Sequence, residues 1–361
     1  MAKLTVLVCL GALVPLCVAS AASAQATAHS PSCACANATW CRPLSAPPAG
    51  KELFVFTEYP TGYLDFNWTY VTTVAAFFSL EAYPQVLCEA HARGVRVVTR
   101  ANPFPVANLS SSADRASWVA SEVARMQATG ADGINVDIEQ AITSPSTAAD
   151  LTALVAALRT AAHQAHPLAQ VSFDVAWNPK GVDNRDYDYA SLATAADLLF
   201  VMGYDVRSQV FTSGPCTAGP NAGLPQVTNG LQEYLALGIP ASMLVAGSPW
   251  YGRLYPCLTL EGNTCTIKAV PFRGCNCSDA ASSELGYSDI KPPAGALQWD
   301  EASSSPFFNI GGTHQMWYDD ARSLSLKYAA ARKLQVAGVG MWTGDFSGQR
   351  SMWSAFDSFF Q

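Results

Sequence analysis

DGINVDIEQ, residues 132–140, is the stretch whose reading decides the fold. Ile134, Val136 and Ile138 alternate with Asn135, Asp137 and Glu139, the period of two that a β-strand imposes on its side chains. One face is aliphatic, and the other carries an amide and two carboxylates. Such a polar row is costly inside a core unless it looks into a pocket. The spacing therefore predicts a strand whose aliphatic residues pack beneath helices and whose polar row climbs to an open rim, with Glu139 at the mouth. The competing reading is a strand end that merely caps the following helix, and only the rest of the chain separates the two.

Seven more short apolar runs keep the same rhythm: KELFVFTEY (51–59), TTVAAFF (72–78), GVRVVTRAN (94–102), QVSFDVAW (170–177), DLLFVMGYD (197–205), SMLVAGSPWYG (242–252) and VAGVGMWTG (336–344). Between them lie alanine-rich stretches such as DRASWVASEVARMQATG (114–130) and DLTALVAALRTAAHQA (150–165), whose apolar spacing of three and four predicts helices. Eight strands alternating with helices predict an α/β chain of the (β/α)8, or TIM-barrel, type. An open doubly wound sheet is the rival. It calls for a glycine-rich phosphate turn after its first strand, whereas KELFVFTEY runs into YPTGYLDF with no G-x-G-x-x-G. The interval 253–313, with cysteines, Gly and Pro but weak periodicity, reads as an insertion on the loop after the seventh strand.

The N-terminus reads as a targeting segment. Lys3 precedes the apolar stretch LTVLVCLGALVPLCVA, and Ala22-Ser23-Ala24 offers a cleavage site. A membrane anchor is the alternative, but the stretch is short and holds Pro15. The expected organisation is a signal peptide (1–24), a cysteine-rich leader (25–50) and a barrel (51–361) that includes the insertion. With 50% hydrophobic and only 14% charged residues the 361-residue chain can bury a large core, and its net charge of -7 leaves no basic footprint for nucleic acid or anionic lipid. Nine cysteines follow the signal, from Cys33 to Cys277. A metal site is one reading of the Cys-x-Cys pairs, but with five His in all disulfides are expected. The odd thiol is then either free or intermolecular. Sequons at Asn37, Asn67, Asn108 and Asn276 suit a glycoprotein of the secretory pathway.

With these elements in order, a family resemblance emerges. DGINVDIEQ resembles the D-G-x-[DN]-x-D-x-E signature of glycoside hydrolase family 18, the chitinase-like barrels. FVMGYD (200–205) is similar to the family's sixth-strand motif, GSPWYGR (247–253) to its seventh-strand motif, WYDDARSLSLK (317–327) to the segment before the last strand, and GVGMWTGD (338–345) to the eighth-strand tryptophan motif. SFDVAWNPK (172–180), VPFRG (270–274) and the cysteine-rich leader narrow the resemblance to a lysosomal branch of the family.

The resemblance implies a hydrolase of β-1,4-linked N-acetylglucosamine in chitooligosaccharides and the chitobiose core of N-glycans. Family 18 enzymes retain configuration without a protein nucleophile, because the substrate's own 2-acetamido oxygen attacks the anomeric carbon. It assigns Glu139 as general acid and base, Asp137 as the group that binds the acetamido N–H, and Tyr204 as the donor to the acetamido oxygen. The expectation for Glu139 is a partly buried place beside another carboxylate that lifts its pKa. Asn135 stands where an aspartate is common, so Asp137 is expected to have no carboxylate relay and to be held by hydrogen bonds alone. Trp342 is expected beneath the sugar, Asp205 on its hydroxyls and Met202 in the pocket floor, with Asp174, Trp177, Tyr251 and Arg253 lining the groove. A monomer without cofactor, metal or membrane anchor is expected. An endo-acting chitinase and a non-catalytic chitinase-like lectin are the alternatives.

Overall fold

The computed structural model describes residues 33–347 and 350–361, so the expected signal peptide and the start of the leader lie outside the described residues. Eight parallel strands close into a barrel: Glu52–Thr57, Thr73–Ala76, Arg96–Arg100, Gly133–Val136, Gln170–Val175, Leu198–Val201, Leu244–Pro249 and Gly338–Trp342. They neighbour one another in chain order, and the eighth pairs with both the first and the seventh. Each of the eight apolar runs contains one of these strands.

The alternation read from the sequence sorts the core into two shells. Leu53, Val55, Ile134, Val136, Val171 and Phe173 point outward into one large cluster under the helices, which include Ser112–Thr129 and Pro145–Ala165. Phe54, Phe56, Val98, Phe200 and Val245 point inward and fill the barrel. Phe200 packs edge-on against Phe56, with ring centroids 4.7 Å apart. It fits because residues 247 and 340 are glycines; a Cβ at either would come within 2.6 Å of the Phe200 ring. The interior below the mouth is therefore solid, and a ligand has room only at the rim.

The run 242–252 is two strands, not one. The barrel strand ends at Pro249, and Tyr251–Pro256 opens a separate antiparallel sheet. Trp250, between them, is fully buried, stacks on Phe356 and donates from Nε1 to the Tyr328 hydroxyl at 3.3 Å, so the chain turns about this anchored side chain. The sheet has five strands in the order Ser283–Gly286, Tyr251–Pro256, His314–Trp317, Ser305–Ile310 and Gln298–Asp300. It stands between the seventh and eighth barrel strands, with a small hairpin, Thr259–Glu261 and Thr264–Thr266.

Disulfides join Cys33–Cys41, Cys35–Cys88, Cys216–Cys277 and Cys257–Cys265, and Cys275 is a buried free thiol. The Cys35–Cys88 bond ties the leader to the helix Gln85–His91. All four sequon asparagines are exposed. Among the described residues no helix is long and apolar enough to cross a membrane.

Candidate active site

The fourth strand ends at Val136, so Asn135 lies inside the barrel while Asp137 and Glu139 follow on the rim. The rim segment is pinned from the neighbouring loop: the Tyr187 hydroxyl donates to the carbonyls of Ile138 at 3.0 Å and Gln140 at 2.6 Å. Ile142 and the 184–186 stretch exchange two backbone hydrogen bonds of 2.9 Å. Loops after the fourth and fifth strands are thereby zipped together, and the residues they carry face each other.

Glu139 is one of those residues, and Arg185 is the other. Arg185 Nη2 lies 2.6 Å from Glu139 Oε2 and 3.3 Å from Asp183 Oδ2. The guanidinium side chain is mostly buried, whereas the Glu139 side chain is 46% exposed. Of the two rim carboxyls, Asp137 is the more deeply buried. That side chain is 15% exposed, with Arg100 Nη2 at 3.7 Å. Its pKa is pushed up to about 7, first by burial and then by the charge of Glu139, with Arg100 opposing. Hydrogen bonds alone are expected to hold Asp137, but the Arg100 cation flanks it.

Beneath this pair, Asn135 is fully buried and donates from Nδ2 to Ser172 Oγ at 3.1 Å and to Asp174 Oδ1 at 2.9 Å. Burial, and then the charge of Asp137, hold the Asp174 carboxyl well above the usual range. Tyr204 is buried nearby, and burial together with the surrounding carboxylates pushes its phenol far up, so it stays an O–H donor.

A cavity of about 190 Å³ opens at this rim, and Glu139, Trp177, Met202, Tyr204 and Asp205 line it. Arg185, Asp183, Ser208, Phe272 and Asp279 are also on its wall. Tyr251 and Arg253, expected in the groove, are not among the lining residues. Both hold Asp205 instead: the Tyr251 hydroxyl donates to Asp205 Oδ1 at 2.8 Å, and Arg253 forms an ion pair with the same carboxylate. Asp205 needs that support, because it sits at φ 50°, in the left-handed region that non-glycine residues rarely adopt. Its amide donates to Asn221 Oδ1 at 3.0 Å. Asn135 and Asp174 likewise lie behind the wall.

Trp342 ends the eighth strand, packed against Phe56 and Phe77 with centroids 5.3 and 5.1 Å away. It is not part of the 190 Å³ cavity. A second, more open hollow of about 360 Å³ lies beyond Phe77 and Arg100. The sequence reading missed Arg100, Arg185, Asp183 and Asp279. Arg100 had a signal, as the last residue of a barrel strand, where catalytic groups gather. The others lie in loops without periodicity. Among the described residues, the one cluster with metal-ligand spacing, Cys33, Cys35 and Cys41, is taken up by disulfides.

Known proteins resemble this chain in sequence and in fold. Residues 104–346 match the model of glycosyl hydrolases family 18. The probable di-N-acetylchitobiase 2 of Dictyostelium discoideum is 40% identical over 352 residues, 91% of either chain. The di-N-acetylchitobiase of Rattus norvegicus is 39% identical over 324 residues, 87% of this chain and 86% of its own. A plant class V chitinase mutant from Cycas revoluta, solved in complex with (GlcNAc)3, superposes with a TM-score of 0.70 at 17% identity, over 86% of this chain and 100% of its own. That last likeness is one of fold. The chain belongs to glycosyl hydrolases family 18 and is a glycoside hydrolase.

Proposed function

We propose that this enzyme is a retaining, substrate-assisted glycosidase of the secretory pathway. It cleaves β-1,4-linked N-acetylglucosamine in chitooligosaccharides and in the chitobiose core of N-glycans. The observation that carries the reading is the meeting, at one barrel rim, of a carboxyl facing a cavity (Glu139), a lifted carboxyl beside it (Asp137) and a phenol donor (Tyr204). Relatives named di-N-acetylchitobiase, matched over most of their length, support the substrate class. The paired Cys and exposed sequons support secretory entry, with the lysosome as destination and a monomer as the working form.

In this mechanism Glu139 turns from Arg185 to the glycosidic oxygen and protonates it as the bond to the anomeric carbon breaks. The acetamido carbonyl oxygen attacks that carbon from the opposite side, and an oxazolinium ion forms. Asp137 accepts the acetamido N–H and offsets the positive charge, while Tyr204 donates to the acetamido oxygen and keeps it aimed. Glu139 then takes a proton from the water that opens the ring. Trp177 and Met202 supply apolar wall, and Asp205 meets sugar hydroxyls. Trp342 would stack under the ring.

The relatives named di-N-acetylchitobiase favour short substrates. Incubation with chitotriose and with polymeric chitin, products followed over time, tests the reading. Release of N-acetylglucosamine from the trimer with little attack on the polymer is expected, and internal cuts in the polymer would identify an endo-acting chitinase. Glu139→Gln should cut turnover by ~10²–10⁴-fold, the usual worth of a general acid, while sugar still binds. A wild-type protein that binds and never cleaves would be a lectin.

A further inference from the structure

We propose that Asp174, on the fifth strand, is the proton partner of Asp137, taking the place of the acid that Asn135 removes from the fourth strand. The inference rests on the function proposed above and names how its acetamido-binding carboxylate is held and charged.

Geometry carries it. The fourth and fifth strands pair in parallel with Asn135 beside Ser172 and Val136 beside Phe173. One residue further, Asp137 comes level with Asp174, and both follow the inward parity of Asn135 and Ser172. Adjacent strands lie about 4.8 Å apart, so two carboxyls on one face at one level are electrostatic neighbours. The charge of Asp137 acts on Asp174, while in the resting arrangement the Asp137 side chain hydrogen-bonds Glu139. Asn135 lies beneath them, its Nδ2 donating to Asp174 Oδ1 at 2.9 Å and to Ser172 Oγ at 3.1 Å. Asp174 is 3% exposed, so its charge has little water to turn to. Asn135 Oδ1 is buried with no hydrogen-bond partner among the described residues. The trio thus has a surplus of acceptors, and one proton held between the two carboxyls relieves it.

Other charged and titratable groups face the pair from every side. Glu139 stands above on the same rim, Arg100 on the third strand, Arg185 on the loop after the fifth, and Tyr204 after the sixth. Burial pushes both carboxyls upward, joined by the charge of Glu139 at Asp137 and by that of Asp137 at Asp174, while Arg100 opposes, so the pair is poised to carry a single negative charge between them. When the acetamido N–H approaches Asp137, the shared proton passes to Asp174. Asp137 is left anionic and Asp174 neutral, the net charge of the pair unchanged. When product leaves, the proton returns. Asp174 touches no substrate in this scheme; it is a positioning residue.

Asp174→Asn is the discriminating substitution, because an amide keeps the acceptor for Asn135 and removes the proton exchange. Its kcat should fall ~100-fold, and the pH–rate profile should lose the limb that belongs to the pair, while the thermal midpoint stays close to wild type. Moving the carboxyl back, in the double variant Asn135→Asp with Asp174→Asn, should restore kcat to within about tenfold. Wild-type kcat and pH profile in Asp174→Asn would overturn the proposal, as would a double variant no better than the single one. Carbon-13 NMR of labelled aspartate in the wild-type protein needs no variant to fold. The Asp137 and Asp174 carboxyls should move together in two steps; independent single-step titration would overturn the proposal. That titration is also informative if chitotriose is not cleaved, so failure of the functional reading and failure of this inference are told apart.

Discussion

The two ends of the fourth strand hold the same residue type in opposite surroundings. At the lower end, Asp132 is 2% exposed and meets donors on every side. The amides of Leu44 and Val97 donate to it at 2.6 and 2.8 Å, and His91 Nε2 lies 2.7 Å away. His91 Nδ1 in turn reaches the Trp40 carbonyl at 2.8 Å, so the cluster clasps the leader to the barrel floor. At the upper end, Asp137 has the Arg100 cation at 3.7 Å, the carboxyl of Glu139 beside it and Arg185 acting more weakly. A carboxylate surrounded by donors secures a fold. One buried beside another carboxyl is primed to change protonation. In barrels of this type chemistry belongs to the C-terminal rim and stability to the other end.

The sharpest way to break the contrast is to delete both acids separately. Asp137→Ala should lower kcat by ~10²–10³-fold, the scale of losing one preorganised electrostatic contact, with the fold intact. Asp132→Ala should do the reverse, because it leaves a buried partner unpaired. Its cost should be about 3–5 kcal/mol of stability, seen in denaturant melts, with kcat per folded molecule unchanged. Equal effects on both quantities at both sites would erase the distinction.

Next in size is pH dependence. The folded Asp137 carboxyl is pushed from 3.8 up to about 7, so between those values the folded state holds a proton that the unfolded chain has lost. Stability therefore falls as pH rises through that window and levels off above it. Asp174 is shifted the same way and adds to the slope. Asp137→Asn should flatten this fall, measured as the thermal midpoint from pH 4 to 8. Because Arg100 opposes the shift, Arg100→Gln should move the window upward, and added salt should shrink the difference, since that side chain is 44% exposed.

How much of this was legible in the sequence follows from periodicity. All eight barrel strands announce themselves, because each needs an outward aliphatic row against helices. Asn135, Asp137 and Glu139 could be placed on one row by parity alone. The rim beyond Val136 could not be read that way. There Glu139 is set by the Tyr187 clamp and by Arg185, which arrives from a loop with no period. Backbone at Asp183 and Asn184 is left-handed, at φ 55° and 59°, so the direction in which Arg185 emerges depends on turns that hydrophobic patterning does not encode. Arg253 and Tyr251 were legible as neighbours of the site, but not as supports of Asp205, because their contacts depend on how the antiparallel sheet folds back against the rim.

Arg185 gives the next prediction. Its guanidinium holds Glu139 Oε2 and Asp183 and is itself lodged in the loop. Arg185→Ala should free the acid from its anchored position and reduce kcat about tenfold, roughly 1.4 kcal/mol of barrier. Arg185→Lys, which keeps the charge without the fork, should recover part of the loss. An unchanged kcat in both variants would mean that the ion pair is incidental to proton delivery.

The smallest expected effect concerns the support of Asp205. Tyr251→Phe removes one hydrogen bond, at 2.8 Å, from a carboxylate that Arg253 still holds. One such bond to a charged group contributes about 1.5–3 kcal/mol at most, and a remaining ion pair shares the load. If Asp205 meets sugar hydroxyls in both ground and transition states, its slackening raises KM a few-fold and spares kcat. A fall in kcat with KM unchanged would instead place Asp205 among the groups that act only as the bond breaks. The upper end of the barrel would then hold one more acid whose role the fourth strand alone does not explain.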